Sequence, residues 1–180
     1  MPQAGFVRLG GVNSYHVAVF HCAAIDFSDK RAGYSELETQ LRALLAGERD
    51  AIANLANAAS LIFHALPDLN WAGFYRLLGE TLVLGPFHGK PACVRIPVGK
   101  GVCGTAAARR ETVLVRNVQE FPGHIACDAA SRSEIVVPLL QNGRVLAVLD
   151  LDSPRLGRFD ADDRAGLENL ATVLVAANDW

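Results

Sequence analysis

The spacing of apolar residues along the chain changes from a helical period to a period of two near Asn70. Before that point leucines recur three or four positions apart, which is the spacing of one face of a helix. A first helix is predicted to begin at Ser35, because Glu38 follows in the arrangement of a capping box, and to end at Gly47. Its predicted inner face comprises Leu37, Leu41, Leu44 and Leu45.

A second helix is predicted to follow Asp50 and to end at Pro67, because proline cannot continue a helix. Only the turn from Gly47 to Arg49 separates it from the first helix, which predicts an antiparallel pair or a bent continuation. The apolar residues of its predicted inner face are Ile52, Leu55, Ala56, Ala59, Ile62 and Phe63.

After Asn70 the alternation of apolar and polar residues indicates strands. NWAGFYRLL and TLVLG are predicted to form a hairpin that turns at Gly79-Glu80. CVRIPV and VLVRNV are shorter predicted strands, and GVCGTAAARRE between them has the composition of a helix.

The C-terminal part of the chain contains the strongest hairpin signal. EIVVPLL and RVLAVLDLD are predicted strands separated by Gln141-Asn142-Gly143. ADDRAGLENLATVLVAAN is predicted to be a helix, because acids near its start suit the helix dipole and its inner stripe is Leu167, Leu170, Val173 and Leu174. The order of elements predicts a single α+β domain, with a central antiparallel sheet of about six strands flanked by N-terminal helices and a C-terminal helix.

The composition argues against several classes of protein. Of the 180 residues, 51% are hydrophobic and 20% charged, and the net charge is -2. Lys and Arg are scattered, so no nucleic-acid partner is expected. No apolar run is long enough to span a bilayer, so no membrane association is expected. The stretch from Tyr15 to Phe27 carries two histidines and an aspartate and makes a poor secretion signal, so we expect a cytoplasmic protein.

The chain has four cysteines, which a reducing cytoplasm would keep as thiols. Cysteine is a common buried residue, so packing alone could explain any one of them. Cys22 is isolated, and Cys93 is predicted to begin a strand. Cys103 lies at the Gly-rich start of a predicted helix, where free amides and the helix dipole favour a thiolate.

Cys127 is the best candidate for a nucleophile. It lies in the irregular segment GHIACDAASRS, three residues after His124 and close to Arg132. Loops carry function more often than packing, and a reactive thiol requires exposure and nearby positive charge.

Two acids interrupt the most apolar predicted strand. Asp150 and Asp152 are two residues apart, so both carboxylates are predicted to lie on one face. Buried carboxylates must be compensated or protonated, which favours a site over a chance pair. Glu134 lies on the partner strand and is predicted to join them. The alternative is that these acids mark strand ends in solvent.

The length of the connecting turn decides how Glu134 is aligned. A two-residue turn at Asn142-Gly143 would place Glu134 opposite Leu151, on the other face. A three-residue turn with a bulge at Gly143 would place Glu134 opposite Asp150 and Arg132 opposite Asp152. We favour the three-residue turn because it gathers the acids on one face.

An aromatic pair is predicted beside the acids. Trp71 and Tyr75 are four residues apart on one strand and therefore share a face. Core packing explains such a pair equally well.

Two other motifs point elsewhere. Gly99 to Gly104 matches G-x-G-x-x-G, but the next predicted strand ends in Arg116-Asn117 rather than in an acid, which argues against a dinucleotide site. A zinc site is a weak alternative because the spacings lack the tight clusters of structural zinc sites. Its candidate ligands are His88, Cys93, Cys103, His124 and Cys127.

Three segments closely resemble the free methionine-(R)-sulfoxide reductases, which are single GAF domains. They are LGPFHGKPACVRIPVGKGVCGTAAARRETVLV, FPGHIACDAASRSEIVVPL and VLAVLDLDSP, and they hold three cysteines in the family's order and spacing. The resemblance implies a GAF domain over residues 31–180 and an N-terminal extension of unknown role over residues 1–30.

The resemblance also implies a thiol mechanism. Cys127 would attack the sulfoxide sulfur, release methionine and become a sulfenic acid. Cys93 or Cys103 would then form a disulfide that thioredoxin reduces. The sequence leaves open which of the two is the main resolving thiol. No metal and no organic cofactor is implied.

The same resemblance assigns the remaining site residues. Glu134, Asp150 and Asp152 would hold the substrate ammonium and help protonate the departing oxygen. Trp71 and Tyr75 would enclose the S-methyl end. The alternative function is a non-catalytic GAF module that senses a small ligand, although a sensor needs neither the cysteines nor the acids. A homodimer through the N-terminal helices is possible on this pattern.

Overall fold

The computed structural model describes residues 22–125 and 128–180. Four helices and six strands are described: α1 Lys30–Leu44, α2 Ala51–Ala65, β1 Trp71–Leu78, β2 Thr81–Gly89, β3 Arg95–Pro97, α3 Gly101–Arg109, β4 Val113–Val115, β5 Ser133–Gln141, β6 Arg144–Ser153 and α4 Ala161–Ala177. A short 3-10 helix covers Val118–Glu120. The predicted arm of residues 1–30 lies largely outside this range.

The strands form one antiparallel sheet in the order β3-β2-β1-β6-β5-β4. This confirms the predicted α+β fold with a central antiparallel sheet of six strands. The hairpin at Gly79-Glu80 is also confirmed, since Leu78 pairs with Thr81. β2 continues to Gly89, four residues beyond the predicted strand. β3 begins at Arg95, so the prediction that Cys93 begins this strand is wrong.

The two faces of the sheet are covered differently. We call the side toward α1, α2 and α4 the helix face; it carries Ala72, Phe74, Ile135, Val137, Leu149 and Leu151. We call the side toward α3 the pocket face; its apolar residues include Trp71, Tyr75, Val136 and Val148. The predicted inner stripe of α4 is confirmed, because its four residues are almost fully buried on the helix face.

The start of α1 differs from the prediction. The helix begins at Lys30 rather than Ser35, and the Asp29 carboxylate accepts hydrogen bonds from the backbone N–H groups of Arg31 and Ala32. The first turn carries no leucine, so apolar periodicity did not reveal it. Tyr34 stabilises this turn because its hydroxyl donates to the carboxylate of Asp163 on α4 at 2.9 Å.

α2 begins after Asp50 as predicted, with the Asp50 carboxylate accepting from the backbone N–H of Ala53 at 2.8 Å. The predicted inner face is only partly correct, because Ile52 and Ala56 are exposed. The residues that fill the face in addition to Leu55, Ala59 and Ile62 are Asn54, Ala58 and Leu61. Alanines fit both sides of a helix, so the pattern alone did not determine its rotation.

The turn between β5 and β6 has two residues, not the favoured three. Gln141 pairs with Arg144, and Asn142 and Gly143 have φ values of 52° and 75°. Positive φ at both central residues is the geometry of a type I′ turn, for which Asn-Gly is the preferred pair.

A β-bulge next to this turn sets the register of the acids. Leu140 pairs with Val145 but Leu139 pairs with Ala147, which leaves Leu146 as the extra residue. Glu134 therefore pairs with Asp152, so both predicted partners, Asp150 and Leu151, are wrong. Arg132 is not opposite Asp152 but precedes the ladder, which begins at the pair of Ser133 and Ser153. The prediction that the three acids share one face is confirmed.

Among the described residues no helix is long and apolar enough to cross a membrane.

Candidate active site

A partly open cavity of about 30 Å³ lies on the pocket face, under the first turn of α3. Residues outside the strands complete its lining, namely Lys90, Pro91, Ala92, His124, Ile125, Asp128 and Ser131. Its lining residues are Trp71, Tyr75, Lys90, Pro91, Ala92, Ile96, Gly101, Val102, Cys103, His124, Ile125, Asp128, Ser131, Glu134, Asp150 and Asp152. Six of the eight predicted site residues are in this set.

The antiparallel register brings the acids together. Glu134 pairs with Asp152 across the β5–β6 ladder, and Asp150 lies two residues along the same face. On the other side of β6, β1 aligns Trp71 with Asp152 and Gly73 with Asp150. Three neighbouring strands thus supply the acids and the aromatic wall of one cavity.

Glu134 and Asp150 are both only 6% exposed. Burial raises the pKa of each carboxyl well above its usual range, and the negative charges of the other acids raise it further. The two carboxyls are within hydrogen-bonding reach of each other. A pair of this kind holds a proton at neutral pH more readily than an isolated carboxyl does.

Asp152 has a different environment within the same cluster. Burial raises its pKa to about 6, while a hydrogen bond from Ser131 and the nearby His124 act in the opposite direction. Asp152 is therefore ionised at neutral pH, whereas its neighbours favour the protonated form. Environments that separate the pKa values of neighbouring carboxyls allow one to supply a proton and another to hold a positive charge.

The prediction that Cys103 favours a thiolate is wrong. The side chain is buried, and its Sγ donates a hydrogen bond to Asp150 Oδ2 at 3.2 Å. Burial raises the pKa of the thiol, and the charges of Asp150 and Glu134 raise it further. These negative neighbours outweigh the helix dipole, because its contribution is modest whereas desolvation and nearby like charge shift a buried pKa strongly.

The predicted aromatic pair lies on one face as expected. The rings of Trp71 and Tyr75 are stacked with centroids 5.9 Å apart, and Phe87 stacks on the other side of Trp71 at 5.4 Å. Gly73 lies between the two residues, and a Cβ there would come within 2.6 Å of the Trp71 ring. The absence of a side chain at Gly73 is what allows the indole to lie over the strand.

Of the two remaining predicted cysteines, Cys93 is not among the described residues that line the cavity. Cys127 lies outside the described residues, but its neighbours Ile125 and Asp128 line the cavity. Cys93 is partly buried against the core of the pocket face, and its sulfur is in a disulfide.

Sequence reasoning missed the residues that anchor the segments covering the cavity. Asp128 accepts a hydrogen bond from Asn70 at 3.2 Å and forms an ion pair with Lys90 at 3.4 Å. The Lys90 carbonyl also accepts a hydrogen bond from the Trp71 indole N–H at 3.1 Å. These contacts connect the segment before Cys93 with the segment after Cys127. The only available signal was the position of Lys90 and Asp128 beside these two cysteines.

From the sequence, His124 was a neighbour of Cys127 and a candidate zinc ligand, but it was not predicted to line the cavity with the acids, as it does. Its Nε2 lies 3.5 Å from Glu134 Oε2. Burial lowers the pKa of its imidazole, whereas the charge of Asp152 raises it.

The zinc set considered from the sequence is not brought together. His88 pairs with Ala72, a residue of the helix face, and its ring contacts those of Phe63 and His64. Cys103 and His124 lie in the cavity on the opposite side of the sheet. The G-x-G-x-x-G segment forms the turn before α3 and the first residues of that helix, next to an antiparallel sheet rather than in a βαβ unit.

The fold and the cavity match one family. The family model of the GAF domain matches residues 52–177. The chain belongs to the GAF domain family.

Within that family, two similar relatives carry the same enzyme name. The chain is 53% identical to free methionine-R-sulfoxide reductase of Escherichia coli strain K12, over 81% of this chain and 88% of the relative. It is 42% identical to the Saccharomyces cerevisiae enzyme of the same name, over 92% and 96%. The chain therefore belongs to the free methionine-R-sulfoxide reductases.

The structural comparison agrees with this family. The X-ray structure of free methionine-R-sulfoxide reductase from Neisseria meningitidis, in complex with its substrate, has a TM-score of 0.83. It is 46% identical, and the match covers 87% of this chain and 95% of that one. The GAF fold that the sequence predicts is confirmed.

Proposed function

We propose that this protein reduces free methionine-R-sulfoxide to methionine by a thiol mechanism centred on Cys127. The observation that carries the proposal is the convergence of Glu134, Asp150 and Asp152 with an aromatic wall in one cavity. The relatives and the substrate-bound neighbour support free methionine-R-sulfoxide as the substrate.

The acids select a free amino acid. An ionised Asp152 and the acidic pair beside it attract the ammonium group, which a methionine inside a peptide lacks. The stacked rings of Trp71 and Tyr75 form an apolar surface for the S-methyl end. We expect this small cavity to exclude the remainder of a peptide chain.

The first chemical step transfers oxygen to sulfur. The Cys127 thiolate attacks the sulfoxide sulfur as the sulfoxide oxygen receives a proton. The sulfur–sulfur bond formed in this attack then breaks as the hydroxyl migrates from the substrate sulfur to the Cys127 sulfur, so that methionine leaves as the thioether and Cys127 becomes a sulfenic acid. Oxide is a poor leaving group, so an acid must be within reach, and the proton shared by Glu134 and Asp150 supplies it.

Cys93 is the main resolving thiol in our proposal. Its attack on the sulfenic sulfur forms a Cys93–Cys127 disulfide and releases the oxygen as water. Cys103 is less suited, because its thiol is buried and the nearby acids disfavour the thiolate that would attack. The dithiol of thioredoxin then reduces the disulfide and is itself oxidised, so that the net reaction consumes two electrons and two protons.

The experiment is turnover of free methionine-R-sulfoxide by the wild type and by Cys127→Ser, with dithiothreitol or thioredoxin as reductant. We expect turnover by the wild type and none by the variant. The S epimer and a peptide containing methionine sulfoxide serve as substrate controls. If the folded, reduced wild type is inactive, the proposal is wrong and a ligand-sensing GAF module becomes the leading hypothesis.

The N-terminal residues 1–30 and the oligomeric state are part of the same proposal. We expect a variant without residues 1–30 to keep its activity, since the cavity is lined from residue 71 onward. Sedimentation of the full chain tests the homodimer. A truncated protein that folds but does not turn over substrate would show that the extension contributes to the site.

A further inference from the structure

We infer that the same cavity binds a divalent thiophilic metal ion, such as Zn²⁺, through Cys103, Glu134 and Asp150, and that this ion competes with the substrate. The competition rests on the proposed function, whereas binding of the ion does not. The site differs from the zinc set suggested by the sequence, because Glu134 and Asp150 replace His88, Cys93 and Cys127, and only Cys103 and the fourth ligand described below, His124, are common to both.

The three side chains offer a preformed set of ligand atoms. The Cys103 sulfur and one oxygen from each carboxyl all lie within 4.8 Å of one another, and all three residues are buried. In a tetrahedral zinc site with bonds of roughly 2.0–2.3 Å, neighbouring ligand atoms are roughly 3.5 Å apart. Cys103 Sγ is already 3.2 Å from Asp150 Oδ2, so only small side-chain shifts are required.

A second observation points independently to a cation. Asp150 Oδ1 is buried and no N–H or alcohol group of the described residues donates to it, so without a cation the proton shared with Glu134 is the one donor left to the Asp150 carboxyl on this side. The residue is 94% buried and lines the cavity. A buried carboxylate oxygen without a donor is costly, and a bound cation removes that cost.

His124 is placed to serve as a fourth ligand. Its Nε2 is 3.5 Å from Glu134 Oε2, on the segment that covers the cavity. Burial lowers the pKa of this imidazole, which favours the neutral form that binds metals. One sulfur, one imidazole nitrogen and two carboxylate oxygens form a ligand set typical of zinc.

The charge of the cavity favours a divalent ion over the substrate. Cys103, Glu134 and Asp150 are all buried and their ligand atoms lie close together, so the cluster resists full ionisation without a compensating cation. The substrate ammonium brings one positive charge, whereas Zn²⁺ brings two and bonds directly to the thiolate. Binding of the ion would displace the protons that the cluster holds.

The test is a titration of the reduced full-length protein with Co²⁺ alone, under anaerobic conditions. Cobalt reports a bound thiolate through a near-ultraviolet charge-transfer band and tetrahedral geometry through its visible bands. We expect one equivalent to bind with both signals, and we expect Zn²⁺ to displace it. Asp150→Asn should weaken binding by at least about tenfold, the loss expected even when an outer partner of a ligand is removed.

A pair of matched variants identifies the sulfur. The triple variant Cys22→Ser, Cys93→Ser, Cys127→Ser retains only Cys103 and should keep the charge-transfer band. Adding Cys103→Ser should remove it. A band that persists without Cys103, or no stoichiometric binding by the reduced wild type, would overturn the inference.

Inhibition is measured separately from binding. If the wild type turns over substrate, Zn²⁺ should raise KM without lowering kcat, and a fall in kcat alone would contradict competition. If the wild type binds Co²⁺ as expected but has no turnover, the proposed function fails and the metal site stands. The two failures are thus distinguishable.

Discussion

The two faces of the sheet each bury an aspartate, but they treat it in opposite ways. On the helix face, Asp163 is fully buried and accepts from the Tyr34 hydroxyl at 2.9 Å and from Arg158 at 3.1 Å. On the pocket face, Asp150 is buried beside Glu134 and a thiol, with one oxygen to which no N–H or alcohol group of the described residues donates.

This difference indicates that Asp163 contributes to the stability of the fold, whereas Asp150 contributes to the chemistry of the cavity. A buried charge with several donors holds elements together, and here Asp163 connects α1 to α4 through Tyr34 and Lys30. A buried carboxyl among like charges is unfavourable to folding, but it holds a proton or attracts a cation. The apolar packing of the helix face supplies the stability that lets the pocket face keep its acids.

The same chemical change should therefore have opposite effects at the two aspartates. Asp150→Asn removes an acid from the proposed proton pair, so we expect kcat for free methionine-R-sulfoxide to fall by about 10²–10⁴-fold. Its thermal stability at pH 7.5 should be unchanged or higher, because a buried like charge is removed. Steady-state kinetics and thermal melts on one preparation measure both. A variant with normal kcat would exclude Asp150 from the proton pair.

Asp163→Asn should instead destabilise the protein by about 3–5 kcal/mol, because it leaves the buried Arg158 without its partner. Denaturant unfolding measures this loss. The activity per folded molecule should stay near that of the wild type, because α4 does not line the cavity. Leu156→Ala, at a residue 56% exposed, is a control that should change stability little. Equal free energies of unfolding for Asp150→Asn and Asp163→Asn would refute the contrast between the two aspartates.

The pH dependence of the free energy of unfolding should reveal the raised pKa of a buried acid on the pocket face. Burial raises the pKa of Asp152 from 3.8 to about 6, so between these values the folded state binds more protons than the unfolded chain. The free energy of unfolding should therefore fall as the pH rises through this interval, by roughly 1–3 kcal/mol. Asp152→Asn should reduce the slope without removing it, because Glu134 and Asp150, whose pKa values burial also raises, contribute a dependence of the same sign. Asp160 does not obscure the effect, because its pKa of about 2 gives a dependence of opposite sign below pH 3.8.

The smallest expected effect concerns the covering segments. Asp128→Ala removes the hydrogen bond from Asn70 and the ion pair with Lys90, each a contact of about 1 kcal/mol or less. We expect the formation of the disulfide after one turnover to slow several-fold. Acid quench at successive times and labelling of the remaining thiols measure its rate. Lys90→Ala keeps the contact with Asn70 and should slow it less. Equal rates in both variants and the wild type would show that the anchor does not position Cys127.

Much of the fold could be predicted because its signals are local. Asn142-Gly143 predicts a tight hairpin from φ preferences alone, and the inner stripe of α4 follows from its leucines and valine. The shared face of Asp150 and Asp152, and that of Trp71 and Tyr75, follows from strand alternation. Glu134 could be placed on the correct face, although its partner was wrong.

What the local pattern could not determine depends on contacts between distant segments. The bulge at Leu146 shifts the register of the acids by one residue, and sheet twist and packing, not turn chemistry, decide where a bulge forms. Cys103 looked like a thiolate because the helix dipole is visible in the sequence, whereas Asp150 and Glu134 approach it only in the folded state. Packing likewise decided which side of α2 faces the core, and it decided that His88 lies on the helix face.

The sequence by itself therefore determined the order of elements, the antiparallel sheet and the residue types available for chemistry, because propensity and alternation act over a few residues. Only the tertiary structure decided which carboxyl faces which, how deeply each is buried and which thiol is protonated. Those properties depend on desolvation and on distances between charges, and both exist only once β1, β5, β6 and α3 enclose the cavity.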